Sequence, residues 1–443
     1  MSDKQGEGLF RQYLRTMGPG FMQSAMTLGG GSAFAAIFAG AAFGYQLLWV
    51  APLGMLLGVI VMSAVAWQTL STGMDPYDAL KKHAHPLFAW AFAWGGLISS
   101  VIWQFAQYAL AGAMLSLLLG VKPWVGGLIA LAWCVPVGLL YGKGGKFVRS
   151  YELLLTGMVW FIIVSMLVVV VRAGVPESGS LLKGFVPSIP PDWTGTDAAG
   201  GPTSIATNLV IVSGLAAAVG ANMLFVYPYT LIRNKWGRGE RKVALLDLVL
   251  GMLIPFTIAV TLMVIASASV FHFGDGAFVG SMIKPEDAAR VFSDPDRLGQ
   301  TVGVWVFGLG ILAMALSSIT MQMLASGFAG VKLFGFQNDS IGHKAFTLLP
   351  AVGVLGAIWW GEMAAWVPVP TNVICGIFLP AAYLGFLILH IKKDYLREDS
   401  PVGGKRLFWN VGMIVAILVI SIGVGNVLIT ELPKYIDKFG GGG

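Results

Sequence analysis

Charge is what this 443-residue chain has least of: only 11% of it is Asp, Glu, Lys or Arg, against 56% hydrophobic residues and a mean hydropathy of +0.77. Soluble domains carry roughly 25% charged residues, so a polytopic membrane protein is implied. Cysteine is almost absent. Cys134 and Cys375 both lie inside apolar runs, which argues against a structural disulfide and says nothing about redox compartment. There is no P-loop, no zinc-ligand spacing and no nucleophile set beside a base, so no enzyme and no cofactor is indicated. The polar N-terminal stretch MSDKQGEGLFRQYLRT runs straight into an apolar segment, and no cleavable signal peptide is expected.

Ionisable groups are also missing where a transporter usually keeps them. Of the 22 acidic residues, only Glu152, Asp247 and Glu362 fall within or beside an apolar run, each near its end. His83, His85, His272, His343 and His390 fall in loops or at helix ends. Proton relays need titrating groups inside the membrane, and the midplane holds none. The net charge of +6 resides in short loops rather than in a patch with interleaved aromatics, which excludes a nucleic-acid partner.

What is present is a series of apolar runs. A span needs about 20 such residues, and eleven helices are expected over roughly 17–42, 46–71, 87–119, 124–141, 151–172, 205–232, 243–271, 300–330, 344–361, 365–390 and 407–430. Alternating the loops puts 20 of the 28 Lys and Arg on one side, so the N-terminus is expected in the cytoplasm and the C-terminus outside, across a plasma (inner) membrane. The expected divisions are a cytoplasmic segment 1–16, a five-helix repeat 17–172, an outer loop 173–204, a second five-helix repeat 205–390, and 391–443 carrying a cytoplasmic loop, helix 11 and a tail. The outer loops 173–204 and 274–299, rich in Pro, Gly and Asp, read as surface caps.

Two of these helices are expected to be broken. Gly29-Gly30-Gly31-Ser32 sits in the middle of the first, three residues in a row lacking a Cβ. Gly220-Ala221-Asn222 interrupts the sixth, with Pro228 further along. Bared backbone at membrane depth must line a protein cavity, because lipid cannot satisfy it. Matching breaks in two halves of five helices, necessarily inserted in opposite senses, are the inverted-repeat pattern of alternating-access carriers.

At this point the residues resemble a known family, the Nramp (natural resistance-associated macrophage protein) divalent-metal transporters. Gly18-Pro19-Gly20-Phe21 is similar to the family's opening GPGF, and Ala39-Gly40, Phe43-Gly44-Tyr45 and Leu47-Leu48-Trp49-Val50 resemble its AG..FGY.LLWV without a gap. Thr72-Gly73 with Asp75, Arg149 with Glu152, Ser317-Ser318 with Thr320, and Leu379-Pro380 resemble further motifs. The resemblance implies an all-α integral membrane protein with a LeuT-type inverted repeat, helices 1–5 against 6–10, helices 1 and 6 broken.

The chain departs from that family where the family works. Gly29-Gly30-Gly31-Ser32 replaces its DPGN, removing the metal-binding aspartate and turning the asparagine into a hydroxyl. In the sixth helix Ala221 keeps the carbonyl position, with Asn222 beside it, but the thioether position is Leu224 and the histidine position Val226; Met223 stands one place off. The family's D-x-x-E pair on the third helix, which the resemblance implies carries protons, falls on Gln104 and Gln107, and its tenth-helix glutamine on Asn372. With Gln23, these positions form the candidate site, and no metal ligand is assigned within it.

Dehydrated transition metals favour anionic, nitrogen or sulfur donors; the candidate site offers carbonyls, a hydroxyl and amides. The expectation is a carrier of a divalent cation kept hydrated, as Mg²⁺ prefers, without side-chain proton coupling, acting as a monomer in a lipid bilayer. Two alternatives stay open. The scaffold serves a non-metal polar solute such as an amino acid, docked on the half-helix N-terminus at Ser32-Ala33, or it transports nothing. Ser317, Ser318 and Thr320 are expected to bond back to their own helix, and Gln104 and Gln107 have the further reading of plain interhelical hydrogen bonds.

Overall fold

The computed structural model describes residues 8–141, 146–196, 202–274, 283–358, 375–430 and 433. Eight helices in it are long and apolar enough to cross a bilayer, or up to ten if each of two bent pairs is one span, and a shorter apolar helix runs over Pro123–Leu139. Helical backbone lies on each of the eleven expected segments, whose ordinals are kept below.

Local chemistry explains where many of these helices begin and end. Pro19, Pro86 and Pro123 open the first, third and fourth, where a missing N–H costs nothing. Gly73 and Gly120, both at φ 70°, close the second and third in the left-handed conformation that a glycine adopts freely.

The third span (Pro86–Leu119) and eighth span (Thr301–Phe334) pack along each other and form the frame. The first span lies against this frame in two pieces: Pro19–Thr27 packs on the fifth, seventh and eighth spans, and Gly30–Phe43 on the sixth and seventh. The eleventh, Gly403–Thr430, lies at the outside against the second, sixth and tenth.

Two expectations are corrected. The first break is narrower than the glycine run: only Leu28 and Gly29 leave the helix, and Gly30 and Gly31 are already helical. The two pieces meet at 58°. The sixth span is interrupted at Val219 and Gly220, one step before the expected place, with Ala221 and Asn222 helical; it still runs as one 27-residue span, Thr207–Arg233, and Pro228 sits inside its second half without ending it. Within and just after the 173–204 loop, Trp193–Thr196 pairs antiparallel to Pro202–Ile205.

Candidate functional site

The break in the first span is closed by its own hydroxyl. Ser32, one turn into the second piece, accepts from the Gly29 N–H at 3.1 Å and donates to the carbonyls of Thr27 (2.8 Å) and Gly29 (3.0 Å). Of the N–H groups expected to be open at Ser32-Ala33, that of Ala33 is taken. The half-helix starts at Gly30, and the Ala33 N–H donates to Gly29 O at 2.9 Å. The Gly30 N–H is taken too, by Gln107 Oε1 of the third span at 2.8 Å.

The carbonyls freed at the end of Pro19–Thr27 are met by the eighth span. Ser317 Oγ donates to Ala25 O at 3.1 Å and Ser318 Oγ to Met26 O at 2.9 Å. Of the expected back-bonds, Thr320 to Ser317 O (2.9 Å) and Ser317 to Met314 O (3.1 Å) exist, while Ser318 instead reaches across. Sequence reasoning missed this bridging role, for which the only signal was a pair of hydroxyls facing a helix whose end was not yet located.

At the second break the polar contacts centre on Met223. Its sulfur accepts from Thr27 Oγ1 at 3.3 Å and from the Gly220 N–H at 3.4 Å, joining the two interruptions. Leu224, Val226 and Ala221 lie in the apolar core, and Asn222 Oδ1 accepts from Met223 N–H at 3.0 Å. Gln104 ties the third span to Ile319 O of the eighth at 2.9 Å. Gln104 and Gln107 thus both make the interhelical bonds weighed for them. Asn372 lies outside the described residues.

Several polar atoms here have no partner: both amide atoms of Gln23, Asn222 Nδ2, Gln104 Oε1 and Gln322 Oε1, all on side chains at most 1% exposed. Beside Ser32 a cavity of ≈ 30 Å³, otherwise lined by apolar side chains and glycine, has room for one or two waters. Among the described residues, no group of three or more His, Cys, Asp or Glu could hold a metal ion.

Charge gathers at one end of the bundle instead. Lys332 Nζ reaches Asp75 Oδ2 at 2.6 Å and Asp78 Oδ2 at 2.7 Å, and Tyr229 donates to Asp75 Oδ1 at 2.9 Å. Asp247, fully buried, accepts from the Gly20 N–H (2.7 Å) and the Tyr227 hydroxyl (3.1 Å), holding the start of the first span. Glu152 accepts from Asn234 Nδ2 at 2.8 Å beside Arg149.

A family model described as natural resistance-associated macrophage protein-like matches residues 20–430 of this chain. The chain belongs to the Nramp family. Relatives include a divalent metal cation transporter MntH of Erwinia tasmaniensis, 25% identical over 92% of each chain, and the MntH of Bacillus subtilis, 24% identical over 94% of this chain and 92% of its own. A manganese transporter from Eremococcus coleocola has the same fold, with a TM-score of 0.75 at 17% identity over 100% of this chain and 91% of its own. A nucleobase-cation-symport-1 family transporter, in a closed conformation with bromovinylhydantoin bound, gives 0.58 at 14% identity over 94% and 92%. This Nramp chain is therefore an integral membrane protein of LeuT-type architecture, and the two breaks lie on the helices that the sequence assigned to them.

Proposed function

We propose that this chain is a secondary transporter that carries a divalent cation with its inner water shell intact, by alternating access around the breaks in the first and sixth spans. Its curated relatives bear the name divalent metal cation transporter, which supports the substrate class. The observation that carries the finer reading is the set of buried, unpartnered amide atoms of Gln23, Asn222, Gln104 and Gln322. An unsatisfied buried polar atom costs about 1–3 kcal/mol. A hydrated cation offers waters that donate to the amide oxygens, whereas a bare ion would meet no carboxylate or imidazole among the described residues there. Gln23, Gly29, Gly30, Gly31, Ser32, Ala221, Asn222, Leu224 and Asn372 remain the proposed substrate contacts, to which the position of its sulfur adds Met223.

The same neutrality supports transport without a side-chain proton relay, since Gln104, Gln107 and Val226 do not titrate. The amino-acid alternative needs open N–H groups at the second half-helix, and the bonds to Gly29 and Gly30 weigh against it. The reading includes eleven spans, a plasma-membrane location with the N-terminus inside, and a monomer.

The test is flux into proteoliposomes, with Mg²⁺ and Mn²⁺ read by entrapped dyes beside a pH dye. Saturable Mg²⁺ entry without acidification is expected. No flux of either ion, in vesicles where a relative works, would remove the metal reading.

A further inference from the structure

Gly29 is glycine for want of space rather than for backbone freedom. Its φ of −147° and ψ of −167° are open to any residue. A Cβ there would stand 2.5 Å from Gln107 Nε2, 3.0 Å from Gln107 Oε1 and 2.7 Å from Ser318 Oγ. Contacts this short force something to move, and neither neighbour is free to do so cheaply. Gln107 is 1% exposed and anchored through its Oε1 to the Gly30 N–H at 2.8 Å. Ser318 is held between Met26 O at 2.9 Å and Gln322 Nε2 at 3.1 Å.

We propose that Gln107 is a specificity-determining residue whose carboxamide fills the place of the side chain that position 29 lacks. It closes the first break to a carboxylate and presents an N–H₂ where an anionic oxygen would otherwise stand. The inference rests on the reading of this break as the substrate's site. It assigns the exclusion of dehydrated cations to a residue of the third span rather than to the glycines alone. An amide N–H₂ has hydrogen-bond donors and no acceptor to offer, so it gives a bare cation no ligand where a carboxylate oxygen would.

Glu and Gln are isosteric, so Gln107→Glu keeps the acceptor for the Gly30 N–H and turns the Nε2 position into a carboxylate oxygen aimed at the same space. Mn²⁺ binding to the purified full-length protein, followed by calorimetric titration, tests this without requiring transport. Gln107→Glu is expected to tighten Mn²⁺ binding by about 10-fold or more over the wild type. Gly29→Asp alone is expected to gain little, because Gln107 and Ser318 occupy the space. Gly29→Asp with Gln107→Ala, which vacates it, is expected to recover a gain of about 10-fold.

A folded Gln107→Glu protein that binds Mn²⁺ no more tightly than the wild type overturns the proposal. So does a Gly29→Asp protein that gains as much as the double variant. Should Gly29→Asp not fold, the isosteric variant decides alone. Loss of the hydrated-cation reading would show as absent Mg²⁺ flux in the wild type, a different measurement, so the two ideas fail separately.

Discussion

The end of the bundle around Asp75, Asp78 and Lys332 and the middle around Leu28-Gly29 are both polar and both buried to a degree, yet they are built from different chemistry. At the end, opposite charges meet at 2.6–2.7 Å and link the segment after the second span to the eighth, with Tyr229 of the sixth added. In the middle the contacts are amide, hydroxyl and thioether to backbone, and several polar atoms are left over. The charge on Asp78 keeps access to water, its side chain being half exposed, whereas Asp75 and Lys332 are largely buried and offset their desolvation by pairing. Among the described residues, no charged side chain takes part in the contacts of the middle. Charge at the end of the bundle holds elements together, and the proposed substrate site is left with neutral dipoles.

The strongest test of that division is Asp247, the fully buried acid that crosses it. Asp247→Ala would strand the Gly20 N–H and leave the Tyr227 hydroxyl only its bond to Ala244 O, and a loss of about 2–3 kcal/mol is expected, read as thermal unfolding in detergent. An unchanged unfolding curve would mean that the carboxylate does not hold the start of the first span. In the neutral middle, Ser318→Ala frees Met26 O and Gln322 Nε2 and should cost about 1–2 kcal/mol by the same measurement. At the charged end, Lys332→Met should cost about 1 kcal/mol, because Asp75 is partly buried and loses its counter-ion. Its larger effect should fall on the rate at which that end opens, seen as labelling of a cysteine placed beside Tyr229.

The pH response sharpens the contrast. Burial is the largest influence on Asp75 and, with the hydrogen bond to Asp78, holds it above its ordinary value of 3.8 despite Lys332. The folded chain therefore takes up this proton more readily than the unfolded one, and the cost of the buried charge is relieved as pH falls through a value above 3.8. Asp78 goes the other way: burial raises it, but the bonds from Asp75 and Lys332 outweigh burial and leave it lowered. Its contribution is complete above 3.8 and is lost only below that, through its lower folded value. Wild-type stability at this end should thus not fall between about pH 7 and pH 5, and Asp75→Asn should differ most from the wild type at the upper pH. A common drop in both proteins over that range would contradict the assignment. The smallest effect belongs to the loose pair Arg297 and Asp294, 4.0 Å apart with Asp294 about half exposed, where Asp294→Ala should change stability by less than about 0.5 kcal/mol.

The membrane character, the helical segments, the presence of two interruptions and the loss of the family's acids were all legible in the sequence. Hydropathy over about 20 residues is a local property, a glycine run is a local weakness, and a missing Asp at position 29 is missing in any fold. The family itself could be read from Gly18-Pro19-Gly20-Phe21 onward, because those motifs are contiguous. Position within the break was not legible. Three glycines allow an unwound stretch of three, and only packing against Gln107 and Ser32 decides that Gly30 and Gly31 stay helical. The same holds for Ser318, whose partner Met26 O is 292 residues away in the chain, and for the space beside Gly29, which no spacing rule reports. Composition determined that this site is neutral; the tertiary contacts decided which neutral group fills it, since that depends on distances between spans far apart in sequence.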